Sequence, residues 1–163
     1  MHLDAYLKEL GTMPKASRES LDRASRDFVA KHVSNFSHMD REKGLLFGEV
    51  QSGKTAHMFG IIAATADADP GFKTFILLTT NNRNLQQQTI RRAFIQLPTF
   101  NICDETDDVR FIHGGLSKPT LVILKKDTNV LKSWNAHLAG ASRLSDGPLF
   151  ILDDEADNAS PNT

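Results

Sequence analysis

The spacing of apolar residues changes character near residue 45. Before that point apolar positions recur at helical intervals. Residues 3–10 make a short helix candidate closed by Gly11, with Pro14 beyond it. Residues 17–33 make a longer one, in which Leu21, Ala24, Ser25, Phe28 and His32 share a narrow stripe while Arg18, Glu19, Arg23 and Arg26 fall mostly elsewhere. After it, nearly continuous apolar runs at 45–50, 73–79, 109–112, 120–124 and 149–153 alternate with helical patterns at 53–66, 82–97 and 127–139. Asp69-Pro70-Gly71, Pro98 and Gly140 punctuate them. Strands that are apolar on both faces and separated by helices are the mark of parallel strands joined by crossovers. The pattern therefore predicts an α/β fold: a mainly parallel central sheet of about five strands with helices on both faces. An N-terminal helical segment occupies residues 1–43 and the α/β lobe residues 44–163.

Composition narrows the classes available. A chain of 163 residues makes one ordinary domain, which buries roughly two-thirds of its unfolded surface. At 40% apolar and 24% charged it is globular, and a net charge of −1 excludes a uniformly basic nucleic-acid binder while leaving room for local basic faces. The single cysteine, Cys103, excludes an internal disulfide and a cysteine zinc cluster, and reads as a small buried side chain. No apolar run approaches the roughly 18 residues of a membrane span. The N-terminal MHLDAYLKEL lacks a basic stretch followed by an apolar core, so a cytoplasmic, reduced protein is expected. His32 and His38 read as surface or internally satisfied histidines rather than metal ligands. Asp104-Glu105-Thr106-Asp107-Asp108 reads as a solvated loop, and Trp134 as a core residue on a helix.

Two stretches carry chemistry. Gly48 to Thr55, GEVQSGKT, follows the apolar run Leu45-Leu46-Phe47 and opens a helix, fitting G-x-x-x-x-G-K-[ST] at every fixed position. Glycines let backbone N–H groups turn toward phosphate oxygens, Lys54 supplies a point charge for the β- and γ-phosphates, and the Thr55 hydroxyl is a ligand for Mg²⁺. The helix starting near Gly53 adds its positive N-terminus. Leu149 to Asp157, LFILDDEAD, is an apolar strand that ends in carboxylates. In open parallel sheets ligands sit beyond the carboxyl ends of the strands, so Asp154 is the candidate to hold Mg²⁺ through its water shell. Glu155 is the candidate to orient or deprotonate an attacking water.

GEVQSGKT together with ILDDEAD resembles the first RecA-like lobe of superfamily 2 helicases and translocases. A narrower resemblance rests on FGEVQSGKTAHMFGII, ILLTTNNRNLQQQT, ILKKDTNVLKSW and ILDDEADNASPNT, which together are similar to the Z-one domain, a helicase-like ATPase of restriction and defence endonucleases; it covers about Phe47 to Thr163. The resemblance implies that Gly48, Gln51, Ser52, Gly53, Lys54 and Thr55 bind ATP. Thr55 and Asp154 would serve Mg²⁺, Lys54 and Glu155 catalysis, and Asp157 the link to the next motif. It implies that Thr79, Thr80, Asn81, Asn82 and Arg83 grip a nucleic-acid backbone, DNA being the expected partner. A second RecA-like lobe with its arginine finger, and a nuclease domain, would follow in the parent protein or come from another chain, since this chain ends shortly after Glu155.

Two further segments are basic. Residues 81–97 hold Arg83, Arg91 and Arg92 without an acid, and residues 118–132 hold Lys118, Lys125, Lys126 and Lys132 against Asp127. Both suit either a nucleic-acid track or a solvated helix face. The expected function is an ATP- and Mg²⁺-dependent motor lobe acting on nucleic acid. The alternative is a nucleotide-dependent switch or assembly module; a GTPase is disfavoured because no N-K-x-D run is present to read guanine.

Overall fold

A computed structural model of the chain describes residues 1–37, 53–69, 71–113, 118–140 and 147–154. The expected strand at 45–50, the candidates Gly48, Gln51, Ser52 and Glu155, and also His38 and Asp157, lie outside these residues. Two compact units are formed, Met1–Phe72 with Ile95–Thr99, and Lys73–Phe94 with Phe100–Thr163.

The described residues of the first unit form α1 (His2–Glu9), α2 (Lys15–His32) and α3 (Lys54–Ala66). Helix α3 is apolar almost all round and is accordingly buried from Met58 to Ala66. Helix α2 approaches it at a glycine: a Cβ on Gly60 would lie 2.4 Å from Ser25 Oγ and 2.9 Å from Leu21 Cδ2. The Ser25 hydroxyl is satisfied within its own helix by donating to Leu21 O at 2.8 Å. Of the α2 stripe, Leu21 and Ser25 are buried, Phe28 is half-buried against His32, and Ala24 is exposed. Helix α1 has no local cap, but Asp67 beyond the end of α3 accepts from His2 N at 2.8 Å and Leu3 N at 2.9 Å, satisfying two N–H groups of its first turn. Tyr6, fully buried, meets Phe59 edge to face and donates its hydroxyl to Ala56 O at 2.8 Å.

The second unit is α/β. Among the described residues its sheet has four strands, β1 (Thr74–Thr79), β2 (Asn101–Cys103), β3 (Thr120–Lys125) and β4 (Leu149–Asp153), all parallel, in the order β2-β3-β1-β4. Every connection carries a helix: α4 (Arg83–Gln96), α5 (Asp108–His113) and α6 (Thr128–Gly140). Strands β1 and β3 are buried on both faces, as the unbroken apolar runs require. Ile76, Val122, Leu124 and Cys103 form one core face with Phe111 of α5 and Trp134 of α6, whose rings meet at 5.3 Å. Phe75, Leu77, Leu121 and Ile123, on the opposite face, are equally inaccessible.

Three expectations are corrected. Residues 109–112 are helical, within α5, because the acids before them nucleate a turn: Asp107 Oδ2 accepts from Asp104 N at 3.0 Å and Phe111 N closes on Asp107 O at 2.8 Å. The remaining strand is instead Asn101–Cys103, whose Ile102 and Cys103 are buried. The acidic segment is consequently no solvated loop. Asp104 Oδ1 accepts from Thr106 N, and Glu105 is half-buried, 3.3 Å from Lys125 Nζ, with Gln86 Nε2 donating to it and Trp134 Nε1 donating to its carbonyl. Finally, β4 lies at an edge of the described sheet, so its apolar run is only half-covered and Ile151 stays 55% exposed.

Candidate functional site

The described part of the phosphate-loop motif begins at Gly53, which adopts φ 77°, ψ 28°. This left-handed conformation is where glycine is needed for its backbone freedom, since a Cβ there would meet no atom within 4 Å but would be strained. The reversal puts Gly53 at the N-cap of α3, and Lys54 and Thr55 become its first two residues. Gly53 O accepts from Ala56 N at 2.8 Å and His57 N at 3.1 Å, closing the first turn. Among the described residues no side chain caps this end, and no acid stands in its first turn. Gly53 and Lys54 are exposed and Thr55 is half-buried. An uncapped helix start with an adjacent ammonium and hydroxyl is chemically suited to an anion, and to a phosphate in particular. The Tyr6 hydrogen bond to Ala56 O anchors the same turn from α1, a support that the short N-terminal helix did not announce in sequence.

The carboxyl ends of β1, β3 and β4 are laced together. Asp154 N donates to Leu78 O at 2.9 Å, Lys126 N to Thr79 O at 3.0 Å, and Thr79 Oγ1 to Leu124 O at 3.3 Å. Lys126 Nζ donates to Asp154 O at 2.6 Å and pairs with the Asp153 carboxylate. Lys126 thus touches both neighbouring aspartates, Asp153 at its carboxylate and half-buried Asp154, one residue beyond the strand, at its carbonyl. Oxygen donors of this kind are what a hard divalent cation such as Mg²⁺ takes, usually with waters retained.

After β1, Asn82 Oδ1 accepts from Asn84 N at 2.9 Å and Leu85 N at 3.3 Å, so its carbonyl oxygen serves as the N-cap of α4. Asn81, Asn82 and Arg83 are exposed; Thr80 turns its hydroxyl into the protein, where it finds no hydrogen-bond partner among the described residues. Gln86, in the following turn, is buried and donates to Ile123 O and Glu105. The second basic segment divides. Lys125 and Lys126 are held by Glu105 and by Asp153, which removes them from the set of free cations for a nucleic-acid track, while Lys118 remains exposed. Arg91 and Arg92 are exposed on α4. Trp134 is 2% exposed, in the core.

Gly53, Lys54 and Thr55 belong to the first unit; Thr80 to Arg83, Asp153 and Asp154 belong to the second. Among the described residues no helix is long and apolar enough to cross a membrane. Comparison with protein-family models, with curated proteins and with solved structures finds no match.

Proposed function

We propose that the chain is the ATP-binding, RecA-like lobe of a nucleic-acid-dependent, Mg²⁺-dependent ATPase of helicase or translocase type, working in the cytoplasm as part of a restriction or phage-defence endonuclease. The observation that carries this reading is the start of α3. Gly53 at positive φ delivers a helix N-terminus, uncapped by any described side chain, with exposed Lys54 and half-buried Thr55 at the position where G-x-x-x-x-G-K-[ST] requires them. Lys54 and the N–H groups of α3 would bind the nucleotide phosphates, with Gly48, Gln51 and Ser52 of the same motif. Thr55 and Asp154 would hold the cation, which when bound neutralises charge on the phosphates. Glu155, following directly on Asp154, would orient the water. An all-parallel sheet flanked by helices is compatible with a RecA-like lobe, and the carboxylates stand at the strand ends where open α/β sheets bind ligands.

Exposed Asn81, Asn82 and Arg83, at the end of β1, support a nucleic-acid partner, DNA in the first instance. A second RecA-like lobe would close over the γ-phosphate. The test is phosphate release by the full-length parent protein, second lobe included, with and without single-stranded or duplex DNA, the isolated chain being expected to hydrolyse ATP poorly. DNA should raise the rate; a rate that both forms of DNA leave unchanged would favour a switch or assembly ATPase over a motor.

A further inference from the structure

Lys126 sits at the carboxyl end of the sheet. It directly follows β3, and its backbone is fixed on both sides: its N–H is bonded to Thr79 O at 3.0 Å, and Asp127 Oδ1 caps α6 by accepting from Asn129 N at 3.0 Å and Val130 N at 3.1 Å. Strand β1 lies between β3 and β4, so the partners of Lys126 stand two strand spacings away, about 10 Å. Only a long side chain spans that distance. The lysine, 13% exposed, reaches over the end of β1 to the Asp154 carbonyl oxygen and the Asp153 carboxylate.

We propose that Lys126 is a positioning residue for the divalent cation. By engaging Asp153 it keeps that carboxylate out of the cation's coordination, and by holding the Asp154 carbonyl it fixes the turn from which Asp154 is presented. This inference rests on the assignment of Asp154 to Mg²⁺. It makes a prediction whose sign is diagnostic. Charge alone would have an ammonium oppose a nearby cation, so deleting it would tighten Mg²⁺ binding. Deletion would also release the Asp153 carboxylate, which again favours a cation; the positioning role predicts that the lost orientation of Asp154 outweighs both effects, so that deletion loosens binding. Outer-shell partners of metal ligands typically contribute about 10–100-fold to metal affinity.

The experiment is calorimetric titration of ATP into the chain at graded Mg²⁺ concentrations, for the parent, Lys126→Ala, Lys126→Arg, Asp153→Asn and Asp154→Asn, with melting temperatures recorded alongside. Lys126→Ala should raise the Mg²⁺ concentration for half effect by about 10–100-fold while leaving ATP affinity without Mg²⁺ unchanged. Lys126→Arg, whose fork can still meet both oxygens, should stay close to the parent, and Asp153→Asn should shift the Mg²⁺ requirement less than Asp154→Asn. Should Lys126→Ala not fold, the Arg and Asn variants decide. Tighter or unchanged Mg²⁺ dependence in folded Lys126→Ala overturns the positioning role. So does a loss in Asp153→Asn as large as in Asp154→Asn, which would make Asp153 the ligand. A parent chain that binds no ATP with Mg²⁺ overturns the nucleotide assignment as well, whereas a binding parent with an indifferent Lys126→Ala overturns the lysine's role alone.

Discussion

At the scale of single residues, Asp154 and Glu155 are neighbours in sequence with separable tasks. Asp154→Asn should weaken the Mg²⁺-dependent part of nucleotide binding, because an amide is a poorer ligand for a hard cation or its water shell. Glu155→Gln in the full-length protein should bind ATP and Mg²⁺ like the parent and lose turnover, since the amide keeps the shape but cannot accept a proton. Measuring binding by calorimetry and turnover by phosphate release separates them; turnover unchanged in Glu155→Gln would move the role to another carboxylate. Asp153, held by Lys126, would then have to leave its partner to take part. Arg83, exposed on the first turn of α4, is the cation of the TTNNRN stretch. Its replacement by Ala should weaken DNA binding with little dependence on sequence and lower the salt slope by about one. An unaltered slope returns Arg83 to an ordinary solvated face.

At the scale of elements, the contact of α2 with α3 turns on Gly60. Alanine there would gain up to about 1 kcal/mol in helix propensity, but overpacking a buried contact costs about 1–3 kcal/mol. The approach of 2.4 Å to Ser25 Oγ and 2.9 Å to Leu21 decides in favour of the cost. Gly60→Ala should therefore lower the denaturant midpoint, and adding Ser25→Ala should restore part of it; a more stable Gly60→Ala would show that the helices are free to separate. These elements also mark what the sequence could disclose. Helices α2, α3, α4 and α6 and strands β1, β3 and β4 were legible because each carries either a sustained 3.6-residue period or an unbroken apolar run bounded by Gly, Pro or Asp. Residues 109–112 misled because four residues hold too little period to separate strand from helix, and because the Asp104–Asp107 turn that starts α5 is made by side-chain bonds to the backbone. β2, at three residues, is shorter than any pattern can register. The exposure of β4 depends on its place in the sheet order, which composition does not encode. At the candidate site the motif residues were legible, whereas Lys126 was not: a lysine pair after a strand looks like a basic patch until the sheet order brings it to β4.

At the scale of the whole molecule, a net charge of −1 spreads over a chain whose exposed cations include Arg83, Arg91 and Arg92, with no acid between 81 and 97. Any nucleic-acid affinity must therefore come from such a local face. The central claim is that the chain is a nucleotide-binding protein through Lys54, the exposed first residue of α3. The direct measurement is calorimetric titration of ATP, with Mg²⁺ present, into the parent chain and Lys54→Ala. A charge-assisted contact to phosphate contributes about 1.5–3 kcal/mol, so the substitution should weaken binding by about 10- to 150-fold at unchanged melting temperature. Equal affinity of the two proteins for ATP would contradict the claim.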